Sequence, residues 1–240
     1  MKFNLPYTDR QRAMVTNPSR LLWIGCGTKT GKTFGLLGWL LEGMLSGEPC
    51  CYVGPWYFRC RAAFDLCKDI VQPHMRSRQV AANESRIKFY CAGGGYLDFM
   101  SADEPNSLFG GNYARLVVDE ASRCPAAIYP AALTTISGVA DARIRLAFNV
   151  ELGNKNWAIR NLLRVQALSK EEQERTSESF LTFPSGGDGL VAPDVIALLR
   201  NQMPESLWRA LYLAEIPTSD VSLFRNIDRV FCGQEMERAQ

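Results

Sequence analysis

Short apolar runs alternate along this chain with longer segments in which apolar residues recur at helical spacing. Continuous runs at residues 21–25, 50–53 and 116–118 predict buried strands, and residues 143–149 and 180–183 predict two more. Helical spacing predicts helices near residues 34–41, 58–71, 126–136, 156–163, 192–202 and 205–214, the second ending before Pro73. Residues 86–91 and 96–100 flank three glycines and predict a hairpin. The polar stretch 169–178 predicts a loop or an exposed helix. This alternation favours an α/β fold built on a mostly parallel central sheet flanked by helices.

The segment between the first strand and the helix after it has the residues of a phosphate-binding P-loop. Cys26 holds the first position of the pattern Gly-x-x-x-x-Gly-Lys-Ser/Thr, and the later positions match. Loop N–H groups and the amino end of the helix are expected to hold an anion together. Lys32 then reaches the outer phosphates of a nucleotide, Thr33 binds Mg²⁺, and Lys29 stabilises charge on a transferred phosphoryl group. The predicted loop residues for nucleotide binding are Gly27, Thr28, Lys29, Thr30, Gly31, Lys32 and Thr33.

Two acids end the apolar run at 116–118. Ligands bind at the carboxyl ends of parallel strands, so Asp119 is predicted to hold Mg²⁺, directly or through water. Glu120 is predicted to orient and deprotonate the attacking water. Asn149 ends the strand at 143–149, and its amide is a candidate sensor of the γ-phosphate or of that water.

Gln11 lies shortly before the P-loop strand, in a short helix that Thr8 can cap. An amide both donates and accepts hydrogen bonds, so Gln11 is a candidate reader of the adenine edge. A polar surface residue is the alternative.

The segment from residue 59 to residue 88 is locally basic. Its cations face either nucleic-acid phosphates or only solvent, and the sequence leaves both open. They are Arg59, Arg61, Lys68, Arg76, Arg78, Arg86 and Lys88, against Asp65, Asp69 and Glu84.

Composition adds limits. The 240 residues suffice for one sizeable α/β domain, and a net charge of +2 indicates no particular partner. No apolar run is long enough for a membrane span, and the first residues have no apolar core of a signal peptide. Eight scattered cysteines without a Cys-x-x-Cys pair fit reduced thiols. We therefore expect a cytoplasmic protein that is neither secreted nor membrane-bound.

Several stretches together resemble the ATPase domain of large terminases, the DNA-packaging motors of tailed bacteriophages. The loop resembles the family's variant Walker A motif, with its extra cation Lys29 before the final glycine. Residues 119–123 resemble its Walker B motif with the catalytic glutamate. Residues 149–157, 191–215 and 223–225 are similar to its coupling motif, to the segment that closes the domain and to the start of the linker.

This resemblance implies a RecA-like P-loop NTPase with an additional strand between the two motif strands and a small C-terminal lid. Residues 1–215 would form the ATPase domain, with a core at about 1–165 and the lid at about 166–215. Residues 216–240 would lead toward a nuclease domain that this chain lacks, so no nuclease activity is expected. ATP and Mg²⁺ are the implied cofactors.

The implied activity is ATP hydrolysis that drives double-stranded DNA into a procapsid, in the cytoplasm of an infected bacterium. The implied partners are the DNA, a portal protein at which the motor acts, a small terminase subunit and further copies of the chain in a pentameric ring.

One position departs from the family pattern. Many members carry an arginine before Walker B that reaches the neighbouring subunit's site, and Phe109 stands there instead. Hydrolysis is then expected to be slow unless Lys29 in cis, or Arg115, Arg123 or Arg143 in trans, takes its place.

Two other functions stay open at this point. One is a P-loop DNA helicase or translocase, although 240 residues leave no room for a second RecA-like domain. The other is a nucleotide-gated assembly module with little turnover, which the departure at Phe109 favours.

Overall fold

The computed structural model describes residues 5–151, 153, 155–186 and 190–216. The predicted linker from residue 217 onward, Asn154 of the coupling-motif resemblance and residues 187–189 lie outside the described residues. The helices are α1 (Asp9–Thr16), α2 (Lys32–Leu45), α3 (Tyr57–Arg76), α4 (Ile128–Thr135), α5 (Trp157–Gln166), α6 (Lys170–Thr176), α7 (Pro193–Gln202) and α8 (Glu205–Leu213). The strands are β1 (Leu21–Cys26), β2 (Pro49–Gly54), β3 (Val80–Asn83), β4 (Lys88–Cys91), β5 (Tyr96–Ser101), β6 (Arg115–Asp119), β7 (Arg143–Asn149) and β8 (Glu178–Phe183).

The eight strands of the described residues form one sheet, in the order β3-β4-β5-β2-β6-β7-β1-β8. Six neighbouring strands run parallel, in the order β5, β2, β6, β7, β1 and β8. Strands β4 and β3 extend the sheet beyond β5, and each runs antiparallel to its neighbour. The predicted hairpin is therefore confirmed as β4 and β5. Strand β7 lies between β6 and β1, which confirms the additional strand between the two motif strands.

Each face of the sheet has its own apolar core, because successive side chains of a strand point to opposite faces. Leu22 and Ile24 of β1 pack with helices α1 to α3 on one face. Trp23, between them in sequence, packs with α4 and α5 on the other. Both faces are covered, which explains why the parallel strands read as nearly continuous apolar runs.

Helix α3 does not end before Pro73, as the sequence predicted, but continues to Arg76. Proline lacks only the N–H donor, and a helix tolerates this loss near its end better than in its middle. The Pro73 carbonyl still accepts the N–H of Ser77 at 3.2 Å, so the last turn keeps its hydrogen bonds. The sequence also did not predict β3, a four-residue edge strand.

Residues 169–183 hold one element that agrees with the prediction and one that lies elsewhere than predicted. The predicted loop or exposed helix is helix α6, begun by a capping box in which Ser169 and Glu172 bond each other's backbone N–H. Strand β8 then pairs with β1 at every position, from Leu21 opposite Glu178 to Cys26 opposite Phe183. This strand belongs to the central sheet and not to the predicted lid. The rest of the domain division stays a prediction.

Candidate active site

The P-loop connects β1 to α2 at the carboxyl edge of the sheet. Lys29 and Gly31 adopt left-handed backbone conformations, with φ of 57° and 72°. Gly27 has no room for a side chain, because a Cβ there would lie 2.5 Å from Ser185 Oγ and 2.9 Å from the Tyr212 carbonyl oxygen. The loop is thus a tight turn that depends on glycine at two positions.

Two distant segments hold the P-loop from outside. The Gly27 N–H donates to the Phe183 carbonyl at 2.8 Å, where β8 ends. The Thr28 N–H donates to the Leu211 carbonyl of α8 at 2.6 Å, and the Ser185 hydroxyl donates to the Thr28 carbonyl at 2.6 Å. The chain after β8 therefore closes over the outer side of the loop.

Cys26 occupies the place of the first glycine as a fully buried residue at the end of β1. Burial raises the pKa of its thiol to about 11, so the thiol stays neutral. It packs in the apolar core beneath the loop.

Gln11 supports the P-loop from behind. Its side-chain oxygen accepts the Thr8 N–H at 2.9 Å, and its Nε2 donates to the Gly31 carbonyl at 3.0 Å. It is 3% exposed and does not line the cavity described below. The structure thus gives Gln11 a role in holding the loop, and contact with adenine stays a prediction.

The two residues predicted to bind metal meet directly. Thr33 Oγ1 donates to Asp119 Oδ2 at 2.7 Å, and the Tyr52 hydroxyl donates to the same oxygen at 3.0 Å. Burial raises the pKa of Asp119, and the charge of Lys32 offsets only part of this effect. A buried carboxylate beside a hydroxyl is an oxygen donor set that suits Mg²⁺, which takes few protein ligands. Sequence reasoning did not identify Tyr52, because only strand pairing brings it beside β6.

Three of the four residues predicted for catalysis also meet. Lys32 Nζ lies 2.8 Å from Asn149 Oδ1 and 3.3 Å from Glu120 Oε1. Burial by itself lowers the pKa of Lys32, but the nearby carboxylates, chiefly Glu120, raise it by more. Glu120 has a left-handed backbone with φ of 50°, and such strain in a non-glycine residue is common at functional sites.

Arg123 and Glu151 extend this group of charges, and sequence reasoning assigned neither of them to the site in cis. Arg123 Nη2 donates to Glu151 Oε1 at 2.6 Å, and Arg123 Nε lies 3.9 Å from Glu120 Oε2. The other oxygen of Glu151 is buried and has no hydrogen-bond partner among the described residues. Arg123 therefore stands between two acids, one of them the predicted catalytic glutamate.

Lys32, Glu120, Arg123 and Asn149 line a cavity of about 520 Å³. One wall is the P-loop from Thr28 to Thr33, including Thr30 and the predicted catalytic Lys29. Trp56, just before α3, and Arg59 and Leu66 of α3 also line the cavity, and Phe34, Glu120, Arg123 and Asn149 complete the lining among the described residues. The sequence did not predict that this segment takes part in the site.

Two of the arginines proposed to act in trans lie far from this cavity. Arg115 begins β6 and Arg143 begins β7, and the two residues lie opposite each other in the pairing of these strands. Arg115 is held there by Glu48 at 2.5 Å and by the Trp39 carbonyl at 2.7 Å. Phe109, which stands at the position of the family's arginine, has a side chain that is 53% exposed.

Three of the seven cations of the basic segment are paired with acids. Glu84 binds both Arg61, at 2.6 Å, and Lys68, and Asp98 binds Lys88 at 2.8 Å. This favours a solvated surface over a nucleic-acid contact for these three cations.

The sheet and the P-loop define a RecA-like P-loop NTPase fold. No family model and no curated protein matches the sequence. Among the described residues, no helix has both the length and the apolar character that crossing a membrane requires.

Solved structures match the chain in fold. The ATPase domain of the Thermus phage P74-26 large terminase has a TM-score of 0.68 and 17% identity, over 89% of this chain and 94% of that one. The bacteriophage HK97 large terminase has a TM-score of 0.71 and 12% identity, over 88% of this chain and 51% of that one. The large terminase of a thermophilic bacteriophage, solved in complex with ADP, has a TM-score of 0.64 and 14% identity, over 88% and 53%. The chain thus has the fold of phage large-terminase ATPase domains and spans about half of the latter two proteins.

Proposed function

We propose that this chain is the ATPase part of a large terminase, which hydrolyses ATP to move double-stranded viral DNA into a procapsid. The observation that carries the proposal is the convergence of Lys32, Thr33, Asp119 and Glu120 at the carboxyl edge of a terminase-like sheet. In this role the chain acts as a pentameric ring at a portal protein, with a small terminase subunit, in the cytoplasm of the infected bacterium.

The residues divide the chemistry among themselves. The N–H groups of the P-loop and the Lys32 ammonium hold the nucleotide's phosphates, and Thr33 and Asp119 would hold Mg²⁺, which neutralises phosphate charge when bound. The Lys32 ammonium is paired with Glu120 and Asn149 in the structure, so it would leave Glu120 in order to bind phosphate. Glu120 is then available to accept a proton from water, with Asn149 beside it.

A nucleotide-gated module with little turnover is the second candidate. The pairing of Lys32 with Glu120 and Asn149 supports it, because the groups needed for hydrolysis neutralise one another without a ligand. A helicase gains less support, since the described residues form a single sheet.

The test measures ATP hydrolysis against protein concentration, with and without double-stranded DNA, in the wild type and in Lys32→Ala. A motor predicts a rate per subunit that rises with concentration and with DNA and is lost in the variant. Nucleotide binding by calorimetry without turnover would favour the gated module. If neither wild type nor variant binds ATP, the nucleotide site itself is wrong.

A further inference from the structure

Arg59 and the P-loop residues Thr28 to Thr33 line the same cavity. The cavity is lined by four cations and a single carboxylate, Glu120. Lys32 is paired with Glu120, and Arg123 is bonded to Glu151. Among the described residues, no ion pair is formed by Arg59, and its guanidinium lies beside the ring of Phe58, with Cζ 5.6 Å from the ring centroid.

The position of Arg59 is set by the fold. Arg59 lies in the first turn of α3, and its N–H donates to the Trp56 carbonyl at 2.9 Å. The next residue, Cys60, is buried and its thiol donates to the Met100 carbonyl at 3.0 Å, which fixes this turn to β5. The base of Arg59 therefore sits on a rigid element.

Helix α3 begins close to the end of β6, where Asp119 and Glu120 lie. Strand β2 pairs with β6 up to Val53 opposite Val118, so the ends of the two strands adjoin. Asp119 follows at once in β6, and α3 begins three residues after Gly54 ends β2. A Cβ added at Gly54 would lie 3.5 Å from Arg59 Cβ, so the side chain starts directly above the end of β2.

An aromatic ring, that of Phe58, lies beside the guanidinium of Arg59. Phe58 stacks on Trp56 with ring centroids 5.7 Å apart and an interplanar angle of 5°. Both rings are exposed, and Trp56 itself lines the cavity. A guanidinium beside an aromatic ring keeps its donors, so it remains able to bind a phosphoryl group bidentately.

We propose that Arg59 binds the terminal phosphoryl group of ATP and stabilises its charge during hydrolysis. The inference rests on the proposed function and assigns that role to a residue outside both nucleotide motifs. The P-loop holds the phosphates, and Arg59, which lines the same cavity, reaches the outermost of them. A contact with the terminal phosphoryl group alone distinguishes ATP from ADP.

The experiment compares the affinities of ADP and of a slowly hydrolysed ATP analogue, ATPγS, by calorimetry with Mg²⁺, in the wild type and Arg59→Ala. We expect the ATPγS affinity to fall about tenfold or more, as for the loss of a charge-assisted hydrogen bond, and the ADP affinity to stay within about twofold. The turnover number should fall about 10²- to 10³-fold, as for the loss of one transition-state donor. Arg59→Lys should restore part of the ATPγS affinity, because it restores the charge without the bidentate geometry.

Arg76→Ala is the matched control, since it removes an exposed arginine from the other end of the same helix. It should bind both nucleotides as the wild type does, and thermal unfolding checks that both variants are folded. Equal losses for ADP and ATPγS, or no loss for either, would overturn the role of Arg59. A wild type that binds neither nucleotide would instead refute the proposed function.

Discussion

The two edges of the parallel strands both bury charged side chains, but these charges have different partners. At the carboxyl edge, Lys32, Glu120 and Asp119 are bonded mainly to other side chains of the site. At the amino edge, the fully buried Arg145 donates to the main-chain carbonyls of Asn17 and Ser19, at 2.7 and 2.9 Å.

This difference separates a site from a support. At the carboxyl edge, a side chain can leave its side-chain partner and bind phosphate or metal instead, and no backbone hydrogen bond is lost. Arg145 joins β7 to the chain before β1, and burial, with Arg143 and Arg115 nearby, lowers its pKa to about 9. Substitution of charged residues at the carboxyl edge should therefore lower the rate of hydrolysis. Substitution of charged residues at the amino edge should lower the free energy of unfolding.

The largest expected effect is in activity at the carboxyl edge. Glu120→Gln should lower the rate of ATP hydrolysis about 10²- to 10⁴-fold, because an amide cannot accept the proton from water. ATP affinity and the free energy of unfolding should change little, since the amide still occupies the place beside Lys32. Steady-state hydrolysis, calorimetry and urea unfolding measure the three quantities, and undiminished turnover would refute the assignment of Glu120.

The next effect is in stability at the amino edge. Arg145→Met should lower the free energy of unfolding by roughly 2–3 kcal/mol, because two partly buried carbonyls lose a charged donor. Turnover per folded molecule should stay unchanged. Urea unfolding checks the first expectation, and Arg145→Lys, which keeps a donor but reaches fewer carbonyls, should fall between. A stable Arg145→Met with impaired turnover would reverse the proposed contrast between the edges.

A smaller effect concerns pH at the carboxyl edge. Because burial raises the pKa of Asp119, protons compete with Mg²⁺ for its carboxylate at pH values above the ordinary value of about 3.9. The stabilisation by Mg²⁺ against urea should therefore weaken as pH falls through the raised pKa. Without metal the sign is opposite: stability should decrease as pH rises through the same interval, because the folded state holds the proton more tightly. Asp119→Asn should show neither trend, and a wild type whose Mg²⁺ effect is independent of pH would contradict the metal site.

The smallest effect is expected for Glu48→Gln, the same chemical change as Glu120→Gln made at the amino edge. Glu48 pairs with Arg115 at a partly exposed position, so its loss should cost at most about 1 kcal/mol of stability. The cost should shrink at high salt, and turnover should not change. Unfolding at two salt concentrations measures this, and a loss of turnover would show that the amino edge also takes part in the chemistry.

The local pattern of the chain determined much of this molecule. The run before Cys26 and the Lys32–Thr33 pair after it predicted strand, P-loop and helix. The acids after the run at 116–118 predicted the opposing ligands. These inferences succeeded because strand and helix periods are local, and because the carboxyl ends of parallel strands share one edge.

Only the tertiary structure decided how distant segments complete the site. It placed Arg59 and Trp56 in the same cavity as the P-loop. It also bonded Gln11 to the loop carbonyl of Gly31 and Arg123 to Glu151. It also placed β8 beside β1, within the central sheet. Each of these contacts joins residues whose local sequence carries no mark of the other, since side-chain pairing across a fold depends on how whole elements pack and not on the period of any one of them.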